Sequence, residues 1–246
     1  MTIDEGRSTK LDRILCDVGS RSIVARLTEA KIITPEQTYK GDSSLYIVVN
    51  SLKPSLVLSS DGTSASTIQD AGRIAIPIIS FGDRRTISQN QPREFLDFEM
   101  EKFTQDVISK MDCHLINILD SVFMINDGRK YSGGITPNRI CESIRSIIDQ
   151  SLNIKIVMSP SSLYDFMCNY GSDIDKYNGM GSLSVITSSN VPFGRAFVVA
   201  QGSVDLWGLR EGMNATCEWG SFALDGPYFG MNVINVNGVS EICLEG

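Results

Sequence analysis

Hydrophobic and polar positions change period several times along the chain, and each change marks an element. Leu11, Ile14, Leu15 and Val18 recur at helical spacing, and Gly19 can end that turn. Ile23, Val24, Leu27 and Ala30 predict a second short helix that stops before Thr34-Pro35. Neither is long enough to be stable alone, so each needs a surface to lie on. From residue 45 the period shortens toward two. Runs at 45–49, 56–58 and 73–79 are rich in β-branched residues. Asn50-Ser51, Ser60-Asp61-Gly62 and Asp70-Ala71-Gly72 separate or precede them as turns. Residues 45–80 are therefore predicted to form a long β-hairpin that projects from the body and lies on something else, since a lone hairpin is marginal in water. Pro77 cannot donate to a ladder, which places the third run at an edge or in a two-stranded ribbon.

Pro92 precedes the clearest helix. Phe95, Leu96, Met100, Phe103, Val107, Met111, Leu115, Ile118 and Leu119 hold one apolar stripe, with acidic, basic and amide residues between them. Residues 95–119 make a rod of roughly 40 Å, a spine crossed by a sheet rather than one member of a bundle. Asn126-Asp127-Gly128 is a turn. Thr136-Pro137 opens a further helix with Ile140, Ile144, Ile147, Ile148 and Leu152 on one face.

The segment 154–201 is the most regular unit. An apolar strand at 154–158 runs into Ser159-Pro160, a helix start in which the hydroxyl caps and Pro takes the first helical position. Leu163, Phe166, Met167 and Tyr170 follow at helical spacing, and Gly171 can end the helix. Two strands, 183–187 and 196–200, flank a turn at Val191-Pro192-Phe193-Gly194. The remainder is β-rich, with strands at 204–207, 213–219, 231–236 and 239–244 and turns at Asp225-Gly226-Pro227 and Asn237-Gly238.

Composition removes several function classes. The chain has 246 residues, enough to bury a sizeable core, with 42% hydrophobic and 21% charged residues, as in ordinary globular proteins. Its formal charge of −7 argues against bulk attraction to nucleic acid. The six cysteines form no C-x-x-C pair and are read as buried thiols in a reducing compartment. The first ten residues are polar and charged, unlike a signal peptide, and no apolar run reaches membrane-spanning length.

Catalytic signatures are missing from the sequence. No G-x-G-x-x-G follows a strand, and there is no phosphate-binding P-loop or G-x-S-x-G elbow. Gly179-Met180-Gly181 reads as a turn. His114 is the only histidine and falls inside the long helix, where a packing role is expected. Asp173/Asp175 and Glu99/Glu101 read as solvated surface, with calcium binding by the Asp173 loop a minor alternative. Trp207 and Trp219 read as core. No catalytic, metal or cofactor residues are assigned.

In their order, these elements resemble the major capsid protein family of tailed bacteriophages. The most specific parts are Ile154-Lys155-Ile156-Val157-Met158-Ser159-Pro160 and Val191-Pro192-Phe193-Gly194-Arg195-Ala196. The resemblance implies an α+β fold with an N-terminal arm at 1–41 and an extended β-hairpin loop at 42–80. It further implies a peripheral domain with the spine helix at 81–133 and 205–236, and an axial α/β domain at 134–204 and 237–246. It implies a shell protein that forms pentamers and hexamers of itself, encloses double-stranded DNA without reading its sequence, and sits in the virion after assembly in the host cytoplasm. Scaffold, portal and cement proteins are implied as further partners, with no cofactor and no membrane. Lys53, Arg73, Arg84 and Arg85 are candidate contacts between subunits. Some family members crosslink through Lys and Asn side chains; the loop here holds only Lys53, so that chemistry is not carried over. An encapsulin-type compartment is the alternative within the same architecture. An α/β enzyme of unassigned chemistry is the alternative from another class, and a tail component a weaker third.

Overall fold

A computed structural model describes residues 21–28, 30–41, 44–61, 64–70, 72–82, 85–88, 92–125, 129–171, 183–209, 214–218 and 221–244. The expected helix at Leu11–Val18, the Asn126 turn and the Asp173/Asp175 loop lie outside them. The helices are α1 (Ile23–Leu27), α2 (Arg93–Ile125), α3 (Pro137–Ile147) and α4 (Pro160–Tyr170). The first eight strands are β1 (Ala30–Ile33), β2 (Thr38–Lys40), β3 (Leu45–Asn50), β4 (Ser55–Leu58), β5 (Ala65–Ile68), β6 (Arg73–Ser80), β7 (Arg85–Ser88) and β8 (Lys130–Ser132). The second eight are β9 (Ile154–Met158), β10 (Ser184–Thr187), β11 (Ala196–Ala200), β12 (Val204–Leu209), β13 (Asn214–Glu218), β14 (Ser221–Asp225), β15 (Tyr228–Val233) and β16 (Val239–Cys243).

Two larger sheets carry the fold. One has six strands in the order β1-β12-β15-β6-β3-β2, the other five in the order β10-β9-β11-β16-β8. A three-stranded sheet (β13-β14-β7) and the β4-β5 ribbon complete it. Helix α2 holds the two large sheets to one core. Its Phe103, Val107, Met111, Leu115, Leu119 and Phe123 share a cluster with Leu206, Phe229 and Met231 of the six-stranded sheet and with Val157, Phe197 and Val199 of the five-stranded sheet. On the far face of the five-stranded sheet, α3 and α4 cover Ile156, Met158, Val198 and Ile242 with Ile140, Ile147 and Phe166. On the far face of the six-stranded sheet, Ile47, Ile74, Ile76, Ile78 and Trp207 form a smaller cluster.

The caps are where residue chemistry places them. Ser159 Oγ accepts from Ser162 N–H at 3.1 Å and Thr136 Oγ1 from Arg139 N–H at 3.3 Å, with Pro opening each helix. At Gly82 the backbone runs so close to the Gly226 carbonyl that an added Cβ would stand 1.8 Å from that oxygen, so only glycine fits.

Several expectations need correction. Residues 30–33 are not helical: α1 ends at Leu27, and Ala30–Ile33 pairs in parallel with β12. Sheet pairing here outweighs a helical period carried by one alanine. The spine runs 33 residues, past Leu119 to Ile125, because Val122 and Phe123 continue its buried stripe. Pro77 sits in an interior strand between β15 and β3. The ladder to β15 covers Ile78–Ser80 and stops before Pro77, which is registered with Tyr46 of β3 alone. The hairpin expected at 45–80 does form, with β3 antiparallel to β6, but it does not project freely. Its β4 side chains Leu56 and Leu58 are buried in the α2 core of the same chain, and Asn232 Nδ2 donates to the Leu56 carbonyl at 2.6 Å.

Leu115 is fully buried at the point where α2 meets both sheets. Leu115→Ala should lower stability by about 2–5 kcal/mol, read as a lower urea midpoint for the isolated subunit. Leu115→Met, which conserves volume, should cost less than about 1.5 kcal/mol.

Candidate functional site

The strongest built site is a cleft of about 630 Å³ at the carboxyl-terminal end of α2. Asp120 comes from α2, Arg195 from the position just before β11, and Glu241 and Cys243 from β16. Strand pairing explains their meeting: Phe197 lies opposite Glu241, and Arg195, two residues before Phe197, stands diagonal to Glu241. Arg195 Nε donates to Glu241 Oε1 at 2.7 Å, its Nη2 bonds both Glu241 and Asp120, and Nη1 reaches Asp120 Oδ2 at 3.4 Å. The guanidinium also lies over the Phe197 ring, 5.4 Å from its centroid. Glu241 is only 1% exposed, and its Oε2 has no hydrogen-bond partner among the described residues. Burial alone would lower the Arg195 pKa, but its bonds to Glu241 and Asp120 outweigh this and hold it above the ordinary value. Burial, reinforced by the Glu241 charge, pushes the Cys243 thiol up, so it stays protonated and unreactive.

The turn before β11 shapes the mouth of this cleft. Gly194 has φ +77°, and its N–H donates to Ser162 Oγ at 2.9 Å. Leu244 lies so close that a Cβ at Gly194 would fall 2.1 Å from its Cδ1. Phe193 and Leu244 are consequently left exposed at the rim, beside Met124, which is 87% exposed.

A second arrangement ties the amino-terminal segment to the spine. Asp112 of α2 is buried and accepts from Ser22 Oγ at 2.6 Å and Ile23 N–H at 3.0 Å, and thereby holds the start of α1. Burial raises its pKa against the lowering effect of those bonds. Two residues further along α2, His114 meets Phe81 edge-on at 5.5 Å between ring centroids. Burial drops its pKa to about 4, so the imidazole is neutral and packed.

Among the described residues, the candidate contacts Lys53, Arg73 and Arg85 are not gathered into one site. Lys53 stands on the loop after β3, with Nζ 3.4 Å from Gln150 Oε1. Arg73 opens β6 opposite Asn50, at the same end of the hairpin, and is exposed. Arg84 lies outside the described residues, and Arg85 begins β7 opposite Leu224. The loop carrying Lys53 is well anchored. Ser51 Oγ and Ser55 Oγ donate to the Ile234 carbonyl at 2.9 and 2.7 Å, and Val236 N–H donates to Pro54 O at 2.8 Å. Leu52 crowns it, 98% exposed.

Among the described residues no group of three or more His, Cys, Asp or Glu side chains is placed to hold a metal ion, and no helix is long and apolar enough to cross a membrane. The Asp120–Arg195–Glu241 cluster escaped the sequence reading. One signal was present: Glu241 is the sole charge in the otherwise neutral run Val239-Ser240-Glu241-Ile242-Cys243, and a charge in a buried strand needs a partner.

No family model matches the sequence, and no curated protein matches it. Solved structures do. The chain is similar to the virus-like particle from Pyrococcus furiosus, at 14% identity and TM-score 0.54, over 93% of this chain and 95% of that one. It is similar to the SrpI encapsulin complex from Synechococcus elongatus at 10% identity and TM-score 0.58, over 91% and 87% of the two chains. It is also similar to the capsid of the cyanophage P-SCSP1u at 12% identity and TM-score 0.55, over 89% and 87%. The fold is that of phage capsids and encapsulins. Within this shell fold, α2 is the spine helix and the five-stranded sheet is the unit into which the carboxyl-terminal strand β16 returns.

Arg195→Met strands a buried carboxylate and should cost about 3–5 kcal/mol. Arg195→Lys should rescue little, because one ammonium cannot serve both acids. Pairing Arg195→Met with Glu241→Gln should recover part of the loss in thermal unfolding. For His114, the folded pKa of about 4 lies below the unfolded value of 6.5. Its stabilising contribution is therefore complete above pH 6.5 and falls away as pH drops toward 4, by about 3 kcal/mol in total. His114→Gln should flatten that part of the stability–pH curve, measured by urea midpoints at pH 7.5 and 4.5.

Proposed function

We propose that the chain is a structural, shell-forming subunit that assembles with copies of itself into a closed icosahedral particle, and that it is not an enzyme. The carrying observation is the fold match over nearly the full length of both chains, reaching from the spine helix to the last strand. Our reading of its setting is the head of a tailed bacteriophage, built of pentamers and hexamers around double-stranded DNA. The formal charge of −7 supports this, since an acidic wall does not bind a packaged polyanion tightly. We place the arm at residues 1–41, the loop at 42–80, the peripheral domain at 81–133 and 205–236, and the axial domain at 134–204 and 237–246. Strand β8, at 130–132, pairs with β16 and favours starting the axial unit a few residues earlier. Lys53, Arg73, Arg84 and Arg85 are proposed contacts between subunits, assembly is placed in the host cytoplasm, and scaffold, portal and cement proteins are proposed partners.

An encapsulin-type compartment enclosing protein is the second reading. The similarity to the Synechococcus encapsulin favours it.

Size-exclusion chromatography with negative-stain microscopy of the earliest fractions tests the proposal. Closed particles, or rings of five or six subunits, are expected. A monomer or dimer at every salt and protein concentration would sink the shell reading. In particles from the native source, an ultraviolet spectrum dominated by nucleic acid supports the phage head, and one dominated by protein supports the compartment.

A further inference from the structure

One stripe of the spine is covered along part of its length and bare at its start. Positions 98, 101, 105, 108 and 112 of α2 alternate by three and four residues and so share one face. At the far end of this stripe, Asp112 holds the start of α1 through Ser22 and Ile23. Ile108 is buried in the cluster that contains Ile23, Val24 and Leu27 of α1. Nearer the start of α2, Glu101 Oε1 accepts from Arg21 at 2.8 Å and from Gln105 at 3.1 Å. Phe98 comes next and is 62% exposed, and Phe95, three positions before it, is 42% exposed.

The same contacts fix where the preceding chain enters. Ser22 is bonded at Asp112, while Arg21, one residue earlier, reaches Glu101, roughly three helical turns nearer the amino end of α2. Residues 1–20, which lie outside the described residues, therefore join the chain within one side chain's reach of Glu101. Glu101 and the bare Phe98 are neighbours on the helix surface.

The segment that joins there has an apolar face of matching length. Leu11, Ile14, Leu15 and Val18 recur at helical spacing, and Gly19-Ser20 is a short link before Arg21. A helix over 11–18 spans roughly 12 Å, and the spine from Phe95 to Lys102 roughly 10 Å. So short a helix does not hold by itself in water, and two phenylalanines gain by leaving it. A short link also gives the segment a high effective concentration at its own spine, which favours this chain over a neighbour as its partner.

We propose that residues 11–18 dock as a short helix on the Phe95–Phe98 face of their own spine and continue there the contact that α1 makes at Ile108 and Asp112. The Arg21–Glu101 ion pair marks the joint between the two. Docking in this way closes the first turns of α2 to other partners. The inference does not rest on the shell reading, since it concerns the single subunit whatever that subunit assembles into.

The test follows hydrogen exchange by mass spectrometry in the full chain. Amides of residues 11–18 should exchange about tenfold or more slowly in the wild type than in Phe98→Asp. Phe193→Asp, at an exposed phenylalanine elsewhere, should leave their exchange as in the wild type. Equal exchange in the wild type and Phe98→Asp, or the same loss of protection in Phe193→Asp, would overturn the docking. A second measurement asks whose spine is used. A bis-maleimide should join Cys16 to the thiol introduced by Glu94→Cys within one chain, seen as a monomer-sized band in denaturing electrophoresis and as joined peptides by mass spectrometry. The same joined peptides in a dimer-sized band would place the segment on a neighbouring copy and overturn the proposal, as would their absence.

Discussion

The structure depends on one helix being buried on two sides. The spine α2 must satisfy the six-stranded sheet with one part of its circumference and the five-stranded sheet with another. Phe103, Val107, Met111, Leu115, Ile118, Leu119 and Val122 hold a stripe wide enough for both. Chain order follows from this requirement. The polypeptide makes β1 to β6 before the spine, builds most of the five-stranded sheet after it, and returns with β12 and β15 to the first sheet. It then finishes in the second with β16. Contacts distant in sequence are thus obligatory, and neither sheet has a complete core without α2.

Buried charges fix what apolar packing leaves free. A greasy stripe tolerates small slides along its axis, whereas a carboxylate with named donors does not. Asp112 binds the Ser22 hydroxyl and the Ile23 N–H, which sets where α1 sits on the spine. Asp120, one and a half turns nearer the carboxyl end of α2 than His114, meets Arg195 and through it Glu241. The two clusters therefore pin opposite portions of the structure to the same helix. His114 lies between them and contributes only its ring, held neutral by burial.

Local rules made much of this visible beforehand. Ser159-Pro160 and Thr136-Pro137 announced α4 and α3 because hydroxyl caps and proline act within one turn. The stripe announced α2 for the same reason. What stayed hidden was set by tertiary partners. Ala30–Ile33 became a strand because β12 offered an edge in parallel register. Lys130–Ser132 and Ser221–Asp225 carry weak strand periods and exist through β16, β13 and β7. Arg195 and Glu241 are 46 positions apart, and only the β11–β16 register brings them together. Leu56 and Leu58 read as part of a protruding ribbon because sequence reports apolarity and not which surface will bury it. The cleft was legible only as one misplaced-looking glutamate.

Packing of the β4-β5 ribbon onto its own spine has a consequence for association. Among the described residues, the main core is built around α2 from residues of both large sheets of the same chain. Exposed apolar side chains are scattered over the described surface, among them Tyr39, Leu52, Phe98, Met124, Leu152 and Tyr164. Contacts made by a few exposed side chains bury little area, and each alone is weak. A ring or shell changes that balance. Every subunit is held by at least two neighbours, and the loss of one contact leaves it tethered by another, at high effective concentration. Weak contacts suit closed assembly better than one strong patch. They let misplaced subunits leave, while the completed particle is retained by the number of its contacts.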